Sequence, residues 1–91
     1  MSRIVAKKLT STGAVTTDAS VLVGLYFVDG ATAGRVQLTD VNGGDTLLDI
    51  DTAGDSDNHF LPLPGTVEGR SGLYLNTLTT VSSITVFYRR A

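Results

Sequence analysis

The chain has 91 residues, seven Lys and Arg against nine Asp and Glu, a net charge of −2 and no cysteine. This length fits one domain over residues 1–91, and the lack of cysteine excludes disulfides, thiolate metal ligands and a cysteine nucleophile. The near-neutral charge argues against a nucleic-acid partner, and no apolar run is long enough for a membrane span or a signal peptide. We therefore expect synthesis in the cytoplasm, with neither nucleic acid nor membrane as a partner.

Short β-strands are predicted along the whole chain, because Val, Ile and Thr are abundant, Gly recurs and no window has helical apolar spacing. In chain order the predicted strands are residues 4–9, 14–16, 21–28, 34–40, 46–52, 59–63, 73–77 and 84–89. Between the fourth and fifth strands, Asn42-Gly43 predicts a tight turn, since this pair tolerates positive φ. The sixth strand is expected to end at Pro62 and Pro64, because proline cannot donate to a central ladder.

Strands of this length and spacing predict an all-β fold, a small antiparallel β-sandwich of seven or eight short strands. A jelly-roll-like and an immunoglobulin-like topology both remain open, since spacing does not encode strand order. Alternation of apolar and polar residues predicts the core between the two sheets. Its expected members are Val36, Leu38, Leu48, Ile50, Leu73, Leu75, Ile84 and Val86.

The strand at residues 21–28 is apolar on both faces. Strict alternation places Val21, Val23, Leu25 and Phe27 on one face, and Leu22, Gly24, Tyr26 and Val28 on the other. A domain of this size buries only about 60–65% of its unfolded surface and has little material for a second covering layer. We therefore expect the spare apolar face to be buried against another protein.

Five aromatic residues are candidate interface residues: Tyr26, Phe27, Tyr74, Phe87 and Tyr88. In each adjacent pair, one ring must face the core and the other must face outward. Outward tyrosines commonly anchor protein interfaces. A sugar-binding aromatic platform is the competing interpretation, and the absence of tryptophan counts against it.

The acidic run Asp45, Asp49, Asp51, Asp55 and Asp57 is the only pattern that resembles a metal site. Its spacing does not match a calcium-binding EF-hand loop, so we interpret these acids as turn caps and as the solvent face of a strand. No metal and no cofactor are expected.

Catalytic residues are not predicted. His59 is the only imidazole, no nucleophile elbow is present, and Glu68 with an aspartate would need a larger cleft for glycoside hydrolysis. The basic pairs Lys7-Lys8 and Arg89-Arg90 are interpreted as charges that blunt edge strands, or as one basic patch if the terminal strands are neighbours.

Three segments carry a family resemblance: VLVGLYFVDGATAGRVQLTD at residues 21–40, LPLPG at 61–65 and VSSITVFY at 81–88. With them, the chain resembles the small β-sandwich decoration (cement) proteins of tailed bacteriophages. The resemblance implies a non-enzymatic virion protein, made in the host cytoplasm and located on the capsid surface. It also implies binding to the major capsid protein and a small homo-oligomer, with a trimer favoured because such proteins often occupy threefold sites. Another virion module (neck, tail or fibre base) and a carbohydrate-binding β-sandwich remain alternatives.

Overall fold

The computed structural model describes residues 3–91, and for Thr66 the backbone alone. Eight strands occur in this range: β1 (Val5–Leu9), β2 (Gly13–Thr16), β3 (Ser20–Asp29), β4 (Gly34–Thr39), β5 (Thr46–Thr52), β6 (Asn58–Gly69), β7 (Leu73–Thr79) and β8 (Val81–Arg90). Across residues 3–91 we find no helix long and apolar enough to cross a membrane. The predicted all-β fold is confirmed, while residues 1 and 2 of the expected domain lie outside the described range.

The strands form two antiparallel sheets with the orders β1-β8-β3-β6 and β2-β7-β4-β5. β1 pairs with β8, β2 with β7, β3 with β6 and β4 with β5. The chain is therefore arranged like one long hairpin that has been rolled up. This is the jelly-roll order, with eight strands and two Greek keys. The immunoglobulin-like alternative is wrong, because that fold requires a different order of neighbours in both sheets.

The predicted core lies between the two sheets. Of its eight expected residues, six are buried, and Leu48 and Ile50 are half-buried against the same cluster. Those two are less covered because β5 is an edge strand. The buried cluster also contains five apolar residues outside the predicted set: Val15, Leu22, Leu25, Phe27 and Val81.

The alternation predicted for residues 21–28 is wrong at its start because β3 contains a β-bulge. Leu22 lies opposite Tyr88 and Gly24 lies opposite Phe87, so Val23 is an extra residue between two consecutive positions of β8. A bulge of this kind shifts the phase of the strand. Leu22 therefore joins Leu25 in the core, instead of facing outward with Tyr26.

The predicted end of the sixth strand at its prolines is also wrong, since β6 continues to Gly69. β6 lies at the edge of its sheet, where a missing N–H can face away from the ladder. The prolines still disturb the pairing. Gly24 lies opposite Pro62 while Leu22 lies opposite Val67, so residues 63–66 leave the ladder.

The two terminal strands are neighbours, since β1 pairs with β8. Lys7 and Lys8 lie on β1, which is an edge strand, in agreement with their predicted role. Arg89 and Arg90 end β8, which has a partner on both sides. The edge-blunting interpretation is therefore wrong for this second pair.

Candidate functional site

An aromatic cluster lies on the outer face of the sheet β1-β8-β3-β6. Tyr26 lies opposite Phe60 on the neighbouring strand, and Gly24 lies opposite Phe87. The rings of Phe60 and Phe87 have centroids 6.0 Å apart and an interplanar angle of 76°, the edge-to-face geometry that aromatic pairs favour. The Phe60 side of the pair is open to solvent, since this residue is 61% exposed. We call Tyr26, Phe60 and Phe87 the outer aromatic face.

Gly24 creates the space that this cluster uses. A Cβ atom at position 24 would lie 3.1 Å from the Leu61 carbonyl oxygen and 3.5 Å from the Phe60 ring. Because glycine has no side chain, the Phe60 ring can extend over β3 towards Phe87. The space beside Gly24 is thus occupied by a neighbouring ring.

The five candidate aromatic residues are divided between the core and the two outer faces. Phe27 is buried and Tyr88 packs against the core, while Tyr26 and Phe87 are the half-buried outward members of their pairs. Phe27 is therefore the buried member of the set, whereas Tyr88 is half-buried like Tyr26 and Phe87. Tyr74 is half-buried beside a shallow depression of ≈ 240 Å³ at the other sheet.

Phe60 is the accessible aromatic residue that sequence reasoning missed. The signal was present, because a strand with His59 and Leu61 on its inner side must direct Phe60 outward. Leu61 does pack against the core.

The second feature of the surface is a polar network at the end of β3, next to the loop between β5 and β6. The carboxylate of Asp29 accepts hydrogen bonds from the backbone N–H groups of Gly30 at 2.9 Å, Gly54 at 2.9 Å and Asp55 at 3.3 Å. Asp29 is only 4% exposed, so these bonds compensate the burial of its charge. The arrangement fixes the β5–β6 loop against the end of β3.

His59 joins this network through Asp55. Its Nε2 atom lies 2.8 Å from Oδ2 of Asp55, and its ring packs on Phe27 with centroids 5.1 Å apart. The hydrogen bond to Asp55 raises the pKa of His59, and the same bond lowers the pKa of Asp55. Phe27, Asp55, His59 and Phe60 contribute to the lining of an open depression of ≈ 350 Å³.

Asp29, Asp55 and His59 are also the residues that could hold a cation. One ligand atom from each lies within 4.8 Å of the other two. Asp29 already accepts three backbone bonds, and Asp55 binds both His59 and the backbone N–H of Asp57. These contacts account for the cluster without a cation, because together they hold the β5–β6 loop in place.

The remaining acids of the run have mixed roles. Asp57 accepts the N–H of Asn58, which agrees with the predicted capping of a turn. Asp49, on the exposed side of β5, forms an ion pair with Arg35 of β4. The acidic run is therefore divided between a loop and a strand face.

Comparison with protein-family models, characterised proteins and solved structures found no match. Since one fold can host many functions, the function must be argued from the surfaces of this chain.

Proposed function

We propose that this chain is a non-enzymatic structural protein of a bacteriophage virion, a decoration protein that binds the major capsid protein and stabilises the shell. The observation that carries this proposal is the outer aromatic face, where Phe60 is 61% exposed beside Phe87 and Tyr26. Exposed aromatic clusters mark surfaces that are covered by a partner. The jelly-roll order supports the proposal at the level of the fold, since it recurs in viral capsid proteins.

The mechanism is mechanical. Each copy buries a modest patch against the assembled shell, and repetition over the shell adds many weak contacts. A protein that binds the assembled shell but not free subunits stabilises the assembly by mass action. In this proposal the chain is made in the host cytoplasm, self-associates as a trimer and occupies the outer capsid surface.

The experiment is a composition analysis of particles produced from the genome that encodes this chain. Purified particles are separated on a density gradient, and the chain is quantified against the major capsid protein by mass spectrometry. The proposal predicts co-migration with the capsid at a copy number close to that of shell subunits. A copy number typical of a single neck or tail ring, or absence from particles, would overturn it.

A carbohydrate-binding role is the second candidate, because an exposed ring and polar groups surround the ≈ 350 Å³ depression beside the β5–β6 loop. Phe60, Asp51, Asp55 and His59 all line it. Sugar sites combine an aromatic platform with a few polar groups, and jelly rolls also occur in lectins. Saturable binding to a glycan array, with and without calcium, would favour this role, and a uniformly negative array would exclude those glycans as ligands.

A further inference from the structure

We propose that copies of this chain join head to tail, with the β1 edge of one copy against the β5–β6 edge of the next, and close into a ring. This inference rests on the self-association included in the proposed function, but not on binding to a capsid. It is carried by a difference in charge between opposite edges of the sandwich.

The first surface, the basic edge, consists of Arg3, Ile4, Val5, Lys7 and Lys8. β1 is the outermost strand of its sheet, and its first four residues are exposed. Residues 3–9 contain three cationic side chains and no acidic one. Ile4 is 56% exposed and Val5 37% exposed, so apolar groups accompany the positive charge.

The second surface, the acidic edge, consists of Asp51, Ala53 and Asp55, which line the ≈ 350 Å³ depression, and of Asp57, which follows in the same loop. β5 and β6 are the outermost strands on the side of the two sheets opposite to β1 and β2. All four residues are exposed. The apolar lining includes Ile50, Leu61 and part of Phe60, so the depression can accept an aliphatic side chain of the size of Ile4 or Val5.

The two edges are complementary in both charge and polarity. Contact between them brings lysines towards aspartates and exposed aliphatic groups towards an apolar depression, which is the pattern of a specific interface. Direct pairing of edge strands is disfavoured, because Pro62 and Pro64 lie on β6 and two lysines lie on β1. The contact is therefore made by side chains.

This complementarity also favours a head-to-tail contact over a twofold one. A twofold dimer brings the same patch of both copies together, which would place cations against cations. A head-to-tail contact joins unlike patches, and it gives a ring where the rotation between neighbouring copies closes and an open filament where it does not. Rings of three or more copies satisfy every edge, and the expected trimer is the smallest of them.

Charge reversal tests the assignment by light scattering coupled to size-exclusion chromatography. We expect K7E/K8E to reduce the ring to monomers, and D51K/D57K to do the same. The quadruple variant K7E/K8E/D51K/D57K should restore the ring, because both signs are reversed together. R70E, which lies outside both edges, should keep the mass of the unmodified protein.

The possible results distinguish a wrong assignment of the interface from an absence of self-association. If the unmodified protein forms a ring but K7E/K8E and D51K/D57K form it equally well, the edge assignment is overturned and self-association stands. If the unmodified protein is a monomer at micromolar concentration, both are overturned, while capsid binding is still decided by particle composition.

Cysteine cross-linking covers the case in which a charge variant fails to fold. The native sequence contains no cysteine, so an introduced pair reports only its own contact. Val5→Cys combined with Ala53→Cys should give covalent rings under oxidation, since these positions lie on opposite edges of one copy and adjacent edges of neighbouring copies. Val5→Cys combined with Val41→Cys is the matched control, and equal cross-linking of both pairs would contradict the proposal.

Discussion

The carboxylate of Asp29 accepts a hydrogen bond from the backbone N–H of Gly54, 25 residues further along the chain, at 2.9 Å. Asp29 ends β3, and Gly54 lies in the loop between β5 and β6. This contact ties the loop that connects the two sheets to the end of β3. It also positions Asp55, whose carboxylate binds His59.

Asp29→Asn should lower the free energy of unfolding by about 1–3 kcal/mol. The carboxylate accepts three backbone N–H bonds, whereas an amide offers one oxygen and directs its own N–H groups at donors. Urea denaturation measures the change. Asp57→Asn is the matched control, because its exposed side chain can still accept the Asn58 N–H. Equal effects of the two variants would contradict the role given to Asp29.

The His59–Asp55 pair should make stability depend on pH in a defined window. The raised pKa of His59 contributes stability below its ordinary value of 6.5, and this is lost as pH rises through the folded pKa. The lowered pKa of Asp55 contributes stability above its ordinary value of 3.8, and this is lost as pH falls through the folded pKa. The pair therefore stabilises the fold most between these two values.

His59→Gln removes this dependence. The melting temperature of the unmodified protein should exceed that of the variant near about pH 5, and the difference should shrink towards about pH 9. The effect is small, because the two side chains are 41% and 40% exposed. A difference that grows with pH would show that the sign is wrong.

A chelator should leave the melting temperature unchanged. The oxygens of Asp29 are occupied by backbone donors and Asp55 is paired with His59, so the cluster is held together without a cation. Thermal unfolding with EDTA, and then with excess calcium, checks this expectation. A decrease of several degrees that calcium reverses would establish a metal site instead.

Leu38→Ala should destabilise the fold by about 2–4 kcal/mol, because it leaves a cavity in the centre of the sandwich. Leu38 has no exposed surface, and it lies opposite Leu48 on one side and Leu75 on the other. Leu48→Ala, the same chemical change at a half-buried position, should cost less. Denaturant unfolding that gives the reverse order would contradict the assignment of the core.

The core and fold class could be predicted where apolar and polar residues alternate regularly. Val36 and Leu38, separated by Gln37, are the clearest case, and both are buried. The jelly-roll order could not be predicted, because pairing of the first strand with the last depends on how the chain wraps rather than on local composition.

Local irregularities explain the remaining errors. The bulge at Val23 changes which residues of β3 face the core, and the only sequence sign of it is the isolated glycine that follows, Gly24. Pro62 predicts a strand end, but an edge strand tolerates it. The cluster of Asp29, Asp55 and His59 assembles from separate segments, so only the folded chain reveals it.

The most direct test of the central claim is the binding of purified protein to capsid shells that lack it, measured by co-sedimentation. Tyr26→Glu places a charge on the outer aromatic face, and Tyr74→Glu makes the same change on the opposite sheet. We predict saturable binding for the unmodified protein and for Tyr74→Glu, and at least about tenfold weaker binding for a folded Tyr26→Glu. Undiminished binding of Tyr26→Glu, or no binding of the unmodified protein, would contradict the account.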